Sequence, residues 1–290
     1  LDNTHNALVR VVPEIGLTGK REQALKEKLQ AYKESLSREE IEKLVTDTKH
    51  LQEYQEEPSS QEDLEKIPML TREDISREIA PIYNEEMKIA DIPTVFHEIE
   101  TNGIGYLDLM FDLSDVPEKD LPMVGLLQAV LGIIDTEHYE YGELFNEINR
   151  HTGGIGTSLE LYPDVTKVKE KEFKATFEIK GKALYGQIPF AIRMMKEILT
   201  ASKLDDEKRL KEILSMTKTR LQDRFLSAGH SAAALRAMSY KSPISKFKDT
   251  TNGIEYYQNI REMEEHFDEK KEEIISGLKA LSELLFRKGN

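Results

Sequence analysis

Leu25, Leu29, Tyr32 and Leu36 recur at helical spacing with Lys and Glu between them, which predicts an amphipathic helix after Gly19 with one narrow apolar stripe. Ser37 with Glu40 three residues later forms a capping box, in which hydroxyl and carboxylate satisfy the free amides of a new helix start. A second helix follows, with Ile41, Leu44, Val45, Thr48 and Leu51 on one face. It ends before Glu57-Pro58-Ser59-Ser60, because proline disfavours helix at the residue preceding it. With the break at Leu36-Ser37 the pair reads as a helical hairpin whose stripes face each other. The run from Ile67-Pro68 to Ala80-Pro81 reads as an extended tether, and Ala7 to Val12 as a short strand without a local partner.

From Asp91 the pattern becomes that of an α+β unit. Thr94 to Glu100 and Ile104 to Leu113 flank Thr101-Asn102-Gly103, and Asn-Gly is a strong hairpin signal because both residues tolerate positive φ. An apolar helix is expected over Leu121 to Ile134 and another over Tyr141 to Arg150, closed by Thr152-Gly153-Gly154. A second strand pair, Ile155 to Tyr162 and Glu172 to Lys180, follows. Beyond it only helices are expected: Leu184 to Thr200, Asp205 to Ser227 capped by Leu204-Asp205, Ser231 to Ser239, Gly253 to Phe267, and Asp268 to Arg287. This order predicts an antiparallel sheet covered by helices on one face.

Charge changes the picture in one respect. The 290 residues carry 40 Lys and Arg against 54 Asp and Glu, a net charge of -14, which repels nucleic acid and acidic membranes in the absence of a basic patch. Half of that excess lies in residues 1–90, where 13 basic residues meet 20 acidic ones, marking that segment as a different kind of structure. The absence of Cys excludes disulfides, thiolate metal sites and a Cys nucleophile, and points to a reducing compartment, most simply a bacterial cytoplasm, with an organelle as the other option. The start has neither the basic nor the apolar region of a signal peptide, and the chain is expected to be cut from a longer one.

The seven histidines, at 5, 50, 97, 138, 151, 230 and 266, include no i, i+4 pair, so no His-Glu-x-x-His or inverted motif is present. His138 and His151 read as surface or loop residues, and His97 as a solvent-facing strand residue. Thr152 to Ser158 leads from helix into strand and reads as a helix-ending glycine turn, not a phosphate loop. Ser231 beside His230 reads as a helix N-cap, and the carboxylates from Glu262 to Glu273 as a solvated face.

Val124 to Thr136, then Tyr141-Gly142-Glu143-Leu144 and Thr152-Gly153-Gly154, resemble the core signature of the inverzincin metallopeptidases, the pitrilysin and insulin-degrading-enzyme class. That family's first helix carries His-x-x-Glu-His, two zinc ligands around a general base. Here the matching places are Gly125, Gln128 and Ala129, none of which can do that work. The emptied motif resembles that of a degenerate, non-catalytic copy of the unit. Gly16-Leu17, Lys20-Arg21, Gln61 to Leu64, Asn102-Gly103-Ile104, Gly229-His230-Ser231 and Gly253 to Tyr257 are similar to the presequence-protease and falcilysin-like branch, specifically its peptidase-associated middle region.

The resemblance implies residues 1–12 as the last strand of a catalytic half, 13–90 as a hairpin linker and tether, and 91–290 as a third, non-catalytic α+β unit lacking its closing strand. It implies a parent zinc metalloendopeptidase that degrades short or unfolded peptides in a closed chamber, with this piece as hinge and wall. No catalytic or metal-binding residue is expected within it. The implied partners are peptide substrates and the remaining parts of the same chain, with neither nucleic acid nor membrane. The alternative is a non-enzymatic peptide-binding or assembly subunit that reuses the fold.

Overall fold

A computed structural model describes residues 10, 12, 14–78, 81, 83–164, 166–167 and 172–287. The chain divides into two compact units, Leu1–Pro81 and Ile82–Asn290, and its class is α+β.

In the first unit, α1 (Leu17–Ser35) and α2 (Arg38–Glu56) take up the two predicted amphipathic stretches. The capping box forms: Ser37 Oγ accepts from the Glu40 amide, and Glu40 Oε2 accepts from the Ser37 amide at 2.8 Å. The facing of the stripes does not. No residue of either helix is buried, and Leu25, Tyr32, Val45 and Leu51 each remain more than half exposed. A stripe one residue wide covers too little apolar area to hold two such charged helices together. A five-residue helix, α3 (Gln61–Glu65), capped by Ser60, follows. The tether contains one 3-10 turn at Arg72–Asp74. The proposed strand from Ala7 to Val12 lies outside the described residues except for Arg10 and Val12.

The second unit opens with a hairpin that the sequence reading placed elsewhere. Strands β1 (Glu85–Ile89) and β2 (Ile92–Phe96) pair across Ala90-Asp91, both at positive φ (51° and 68°). Asn102 and Gly103 do take positive φ (53° and 81°), but they join a coil to β3 (Ile104–Asp112), whose partner is the distant β5 (Phe173–Leu184). His97 accordingly sits in the coil and not in a strand. The turn signal reports backbone conformation; it does not choose the strand's partner.

Strand β4 (Ile155–Pro163) pairs with the other side of β5, giving an antiparallel sheet of order β3-β5-β4. On central β5, Phe177 and Ile179 are fully buried towards the helices, alternating with Thr176, Glu178 and Lys180 on the opposite face. This period of two is what a strand requires to cover a core on one side.

Helix α4 (Leu121–Val130) supplies Val124, Leu126, Leu127 and Val130 to the core, all fully buried. It stops four residues before the predicted end at Ile134. Leu131 is extended and Gly132 takes φ 87°, a turn for which glycine is the natural residue. Helix α5 (Tyr141–His151) buries Leu144 and Ile148, and α6 (Ile188–Thr200) buries Met194, Met195 and Ile198. The helix α7 (Glu207–Ser239) is capped by Asp206, not by Leu204-Asp205, and is broken at Ala228 (φ -139°, ψ 44°). The expected separate helix from Ser231 therefore continues across a kink, with Ser231 inside it.

Helix α8 (Pro243–Asn252) has no counterpart in the sequence reading, because the residues it buries, Ser245, Asp249, Thr250 and Thr251 alongside Phe247, give no apolar stripe. Helices α9 (Ile254–Glu265) and α10 (Phe267–Leu285) complete the unit. Phe286, just beyond α10, packs edge-on against Phe111 and Phe177 at 5.0 and 5.4 Å, holding the chain's last described turn against the sheet. Each fully buried Leu, Ile, Met or Phe of this core contributes roughly 1.5–3 kcal/mol relative to exposure.

Candidate functional site

The three motif positions lie on α4 and have separate surroundings. A Cβ on Gly125 would stand 2.6 Å from the backbone carbonyl oxygen of Thr251 and 2.7 Å from Cε2 of Tyr256. The crossing of α4 with α8 and α9 thus occupies the space that a side chain there would need. Gln128 Nε2 donates to the carbonyl of Thr157 on β4 at 3.3 Å, and Thr157 Oγ1 donates back to the Gln128 carbonyl at 3.2 Å. Ala129 is half-buried. This donor set does not fit zinc, since one amide oxygen is all that three positions offer. Among the described residues, no group of three or more His, Asp and Glu is placed to hold a metal ion.

Gln128 borders a cavity of about 400 Å³ enclosed by β4, the kinked part of α7 and α8. Its floor and walls are apolar, from Leu159, Leu161, Phe225, Leu235 and Phe247, and its rim carries Arg224, Lys248 and Asn252. The α7 kink at Ala228 bends the helix along the cavity, and Ser231 faces into its lining. Arg224 is held by Asn252, donating to its Oδ1 at 3.0 Å and also to its backbone carbonyl. Burial of the guanidinium, with Arg220 nearby as a second cause, lowers its pKa from the usual arginine value.

The cavity also meets an open sheet edge. At the two ends of β4, the Gly154 carbonyl accepts from the Lys182 amide of β5, and the Asp164 amide donates to the carbonyl of Glu172 just before β5. The register between them is unbroken. The even positions of β4 therefore bond to β5, and Thr157, Leu159 and Leu161 turn their amides and carbonyls outward.

The remaining sequence candidates resolve into local pairs. His138 Nδ1 lies 3.1 Å from Glu197, and the His151 ring lies 4.7 Å from that of Phe190, tilted by 48°, with Nε2 3.6 Å from Glu147. His230 is exposed. Thr152 Oγ1 accepts from the Gly154 amide at 3.0 Å, and Gly154 takes φ 117° as α5 gives way to β4. In the acidic run, Glu262 pairs with Lys270 at 2.5 Å, while Lys271 reaches back to Glu207 at 2.7 Å.

One cluster that the sequence reading missed lies on the sheet face away from the helices. Glu178, with 0% exposure, accepts from Tyr162 Oη at 2.7 Å and Thr176 Oγ1 at 2.6 Å, and its Oε2 lies 2.8 Å from Lys180 Nζ. Asp108 lies beside it on β3. Burial, then the Glu178 charge, push the Asp108 carboxyl up to about 6, although Lys180 pulls the other way. Burial, then the hydrogen bond to Glu178, push the Tyr162 phenol up to about 12. The only sequence signal for this cluster was the polar half of the β5 alternation. No helix among the described residues is long and apolar enough to cross a membrane.

The sequence profile of the region associated with peptidases of family M-16, subfamily C, matches residues 11–263. Protein HypA of Clostridium perfringens is 36% identical over 290 residues, covering 100% of this chain and 29% of that protein. Presequence protease 1, chloroplastic/mitochondrial, of Arabidopsis thaliana is 26% identical over 291 residues, 100% of this chain and 27% of that protein. Presequence protease, mitochondrial, of Xenopus laevis is 25% identical over 264 residues, 91% of this chain and 25% of that protein. The chain thus spans less than a third of the length of these relatives.

Proposed function

Because the chain belongs to this peptidase-associated family, we propose that it is the hinge and a non-catalytic chamber wall of a zinc-dependent metalloendopeptidase that degrades short or unfolded peptides. On this reading α1 and α2 link the two halves of the parent, and the unit from Ile82 onward is the degenerate copy. The zinc and its general base belong to another part of the parent chain. The observation that carries the proposal is the packing at Gly125, where the Thr251 carbonyl and the Tyr256 ring fill the space that a metal ligand would need. The exposed apolar stripe of α1 and α2 supports the linking role, since such a surface requires a covering partner to be stable in water. The parent is proposed to act on peptides in the bacterial cytoplasm or in an organelle.

The test compares this 290-residue chain with the full product of its gene, assaying both for bound zinc and for cleavage of quenched fluorescent peptides. Zinc and hydrolysis are expected only for the full product. Stoichiometric zinc or hydrolysis by the chain alone would overturn the proposal, and a full product without hydrolysis would favour a binding subunit.

A further inference from the structure

The charges around the α4–α7–α8 cavity run against those of the chain. With a net charge of -14 overall, the cavity lining contains Arg224 and Lys248 and no Asp or Glu. Neither cation has a carboxylate partner among the described residues. Arg224 is fixed by the neutral Asn252, and its burial, then the charge of Arg220, lower its pKa. Arg220 stands one helical turn before Arg224 on the same helix, α7. An arrangement of this kind is stabilised by an anionic ligand, because like charges on a low-dielectric wall focus a positive potential at the mouth.

Below the rim the surface is apolar, and about 400 Å³ is at the small end of the range for ligand pockets, roughly 300–1,000 Å³. Alongside it, the outward amides and carbonyls of Leu159 and Leu161 offer backbone hydrogen bonds to an extended chain. Gln128 takes the Thr157 carbonyl and so closes this edge at one end. A ligand that meets all three features has an extended backbone, an apolar side chain and a carboxylate close to that side chain.

We propose that this cavity binds the C-terminal residue of an extended peptide, with its apolar side chain against Leu161, Phe225 and Phe247 and its carboxylate on Arg224 and Lys248. The choice of a peptide rests on the chamber-wall reading above. In that setting the site would hold the free end of a peptide or a cleavage product by its terminus, without regard to most of its sequence.

The experiment uses the 290-residue chain and a fluorescent short peptide ending in leucine, with binding followed by anisotropy at low salt. Three probes are compared: the free acid, the C-terminal amide, and the amide carrying an internal glutamate. The free acid is expected to bind about tenfold more tightly than either amide, as for the loss of one charge-assisted hydrogen bond. The preference should weaken as salt rises. In Arg224→Gln/Lys248→Gln, acid and amide should bind equally. Lys248→Gln alone changes an exposed side chain with no carboxylate partner among the described residues, should leave the fold intact by circular dichroism, and should reduce the preference severalfold.

Equal binding of acid and amide to the unaltered chain, an acid preference that survives in the double variant, or no saturable binding of any probe would each overturn the proposal. Tight binding of the glutamate-bearing amide would overturn recognition of the terminus. Peptide cleavage by the full gene product is a separate readout: hydrolysis without an acid preference refutes this site alone, and an acid preference without hydrolysis refutes the peptidase reading alone.

Discussion

Replacing Gly125 by alanine tests whether the emptied motif position is merely vacant or is used for packing. In a free helix Gly→Ala stabilises by about 1 kcal/mol, because glycine has more backbone entropy to lose. At Gly125 the new Cβ would lie 2.6 Å from the Thr251 carbonyl oxygen and 2.7 Å from the Tyr256 ring. The first is a backbone atom that no rotamer change can move, and the second belongs to a ring only 3% exposed. Helix α4 must therefore shift against α8 and α9, and overpacking of this kind costs about 1–3 kcal/mol. Subtracting the propensity gain leaves Gly125→Ala destabilised by up to about 2 kcal/mol, at about 2–4 °C in melting temperature per kcal/mol for a unit of this size. Gly142→Ala on α5, where nothing lies within 4 Å of the new Cβ, is the control and should be neutral or stabilising by up to about 1 kcal/mol. Urea unfolding followed by far-ultraviolet circular dichroism and tyrosine fluorescence measures both, since the chain has no Trp. If Gly125→Ala proves at least as stable as Gly142→Ala, the close crossing is not what holds position 125, and the argument against a ligand there fails with it.

Introducing the family's motif by Gly125→His/Gln128→Glu/Ala129→His should yield neither stoichiometric zinc by elemental analysis nor a folded unit as stable as the original. Arg236→Met should cost about 2–4 kcal/mol in urea unfolding, because Asp249, with 0% exposure, has Arg236 at 2.5 Å as its counter-charge and loses compensation while still buried. Asp108→Asn should change stability in a pH-dependent way. The Asp108 pKa is raised in the fold to about 6, so its protonated form is the one the fold favours, and its contribution is present below the unfolded value near 4 and lost as pH rises through 6. The amide should therefore be neutral at pH 4 and stabilising at pH 7, by about 1 kcal/mol once the carboxyl's 40% exposure and solvent screening are allowed for. A flat difference between the two unfolding curves across that range would refute the raised Asp108 pKa.

Several local signals in this sequence reported local structure faithfully, although the N-cap expected at Ser231 did not form. The Ser37–Glu40 capping box, the alternation along β5 and the positive φ at Asn102-Gly103 all appear where the residues placed them. What failed were inferences that needed a partner. Asn102-Gly103 made a turn without a hairpin because β3 gains more by pairing along its full length with β5, whose buried Phe177 and Ile179 sit beneath the helices. The actual hairpin turn, Ala90-Asp91, carries no glycine and so gave no signal. Helix α8 escaped notice because it buries Asp249, Thr250 and Thr251; Asp249 is compensated by Arg236 of α7 and Thr251 donates to the Phe247 carbonyl one turn back, neither of which an apolar periodicity reveals.

The candidate site divides along the same line. Gly125, Gln128 and Ala129 were legible because they share one helix and their spacing is fixed by it. Arg224 and Lys248 were not, since they come together with Gln128 only when α7 and α8 pack over β4. A count of charges along the chain predicts an acidic surface, and an acidic wall would select basic peptides. The cavity lining reverses that sign locally, and over a few ångströms the nearest cations outweigh a distant net charge that salt screens beyond about 8–10 Å. On the proposed reading the two levels assign different jobs to charge: the net -14 would govern long-range approach of a basic peptide, and Arg224 with Lys248 would decide what the cavity holds. A peptide basic along its length and ending in an apolar residue with a free carboxylate satisfies both, so raising salt should slow its association while lowering the acid-over-amide preference, two effects that separate in stopped-flow anisotropy.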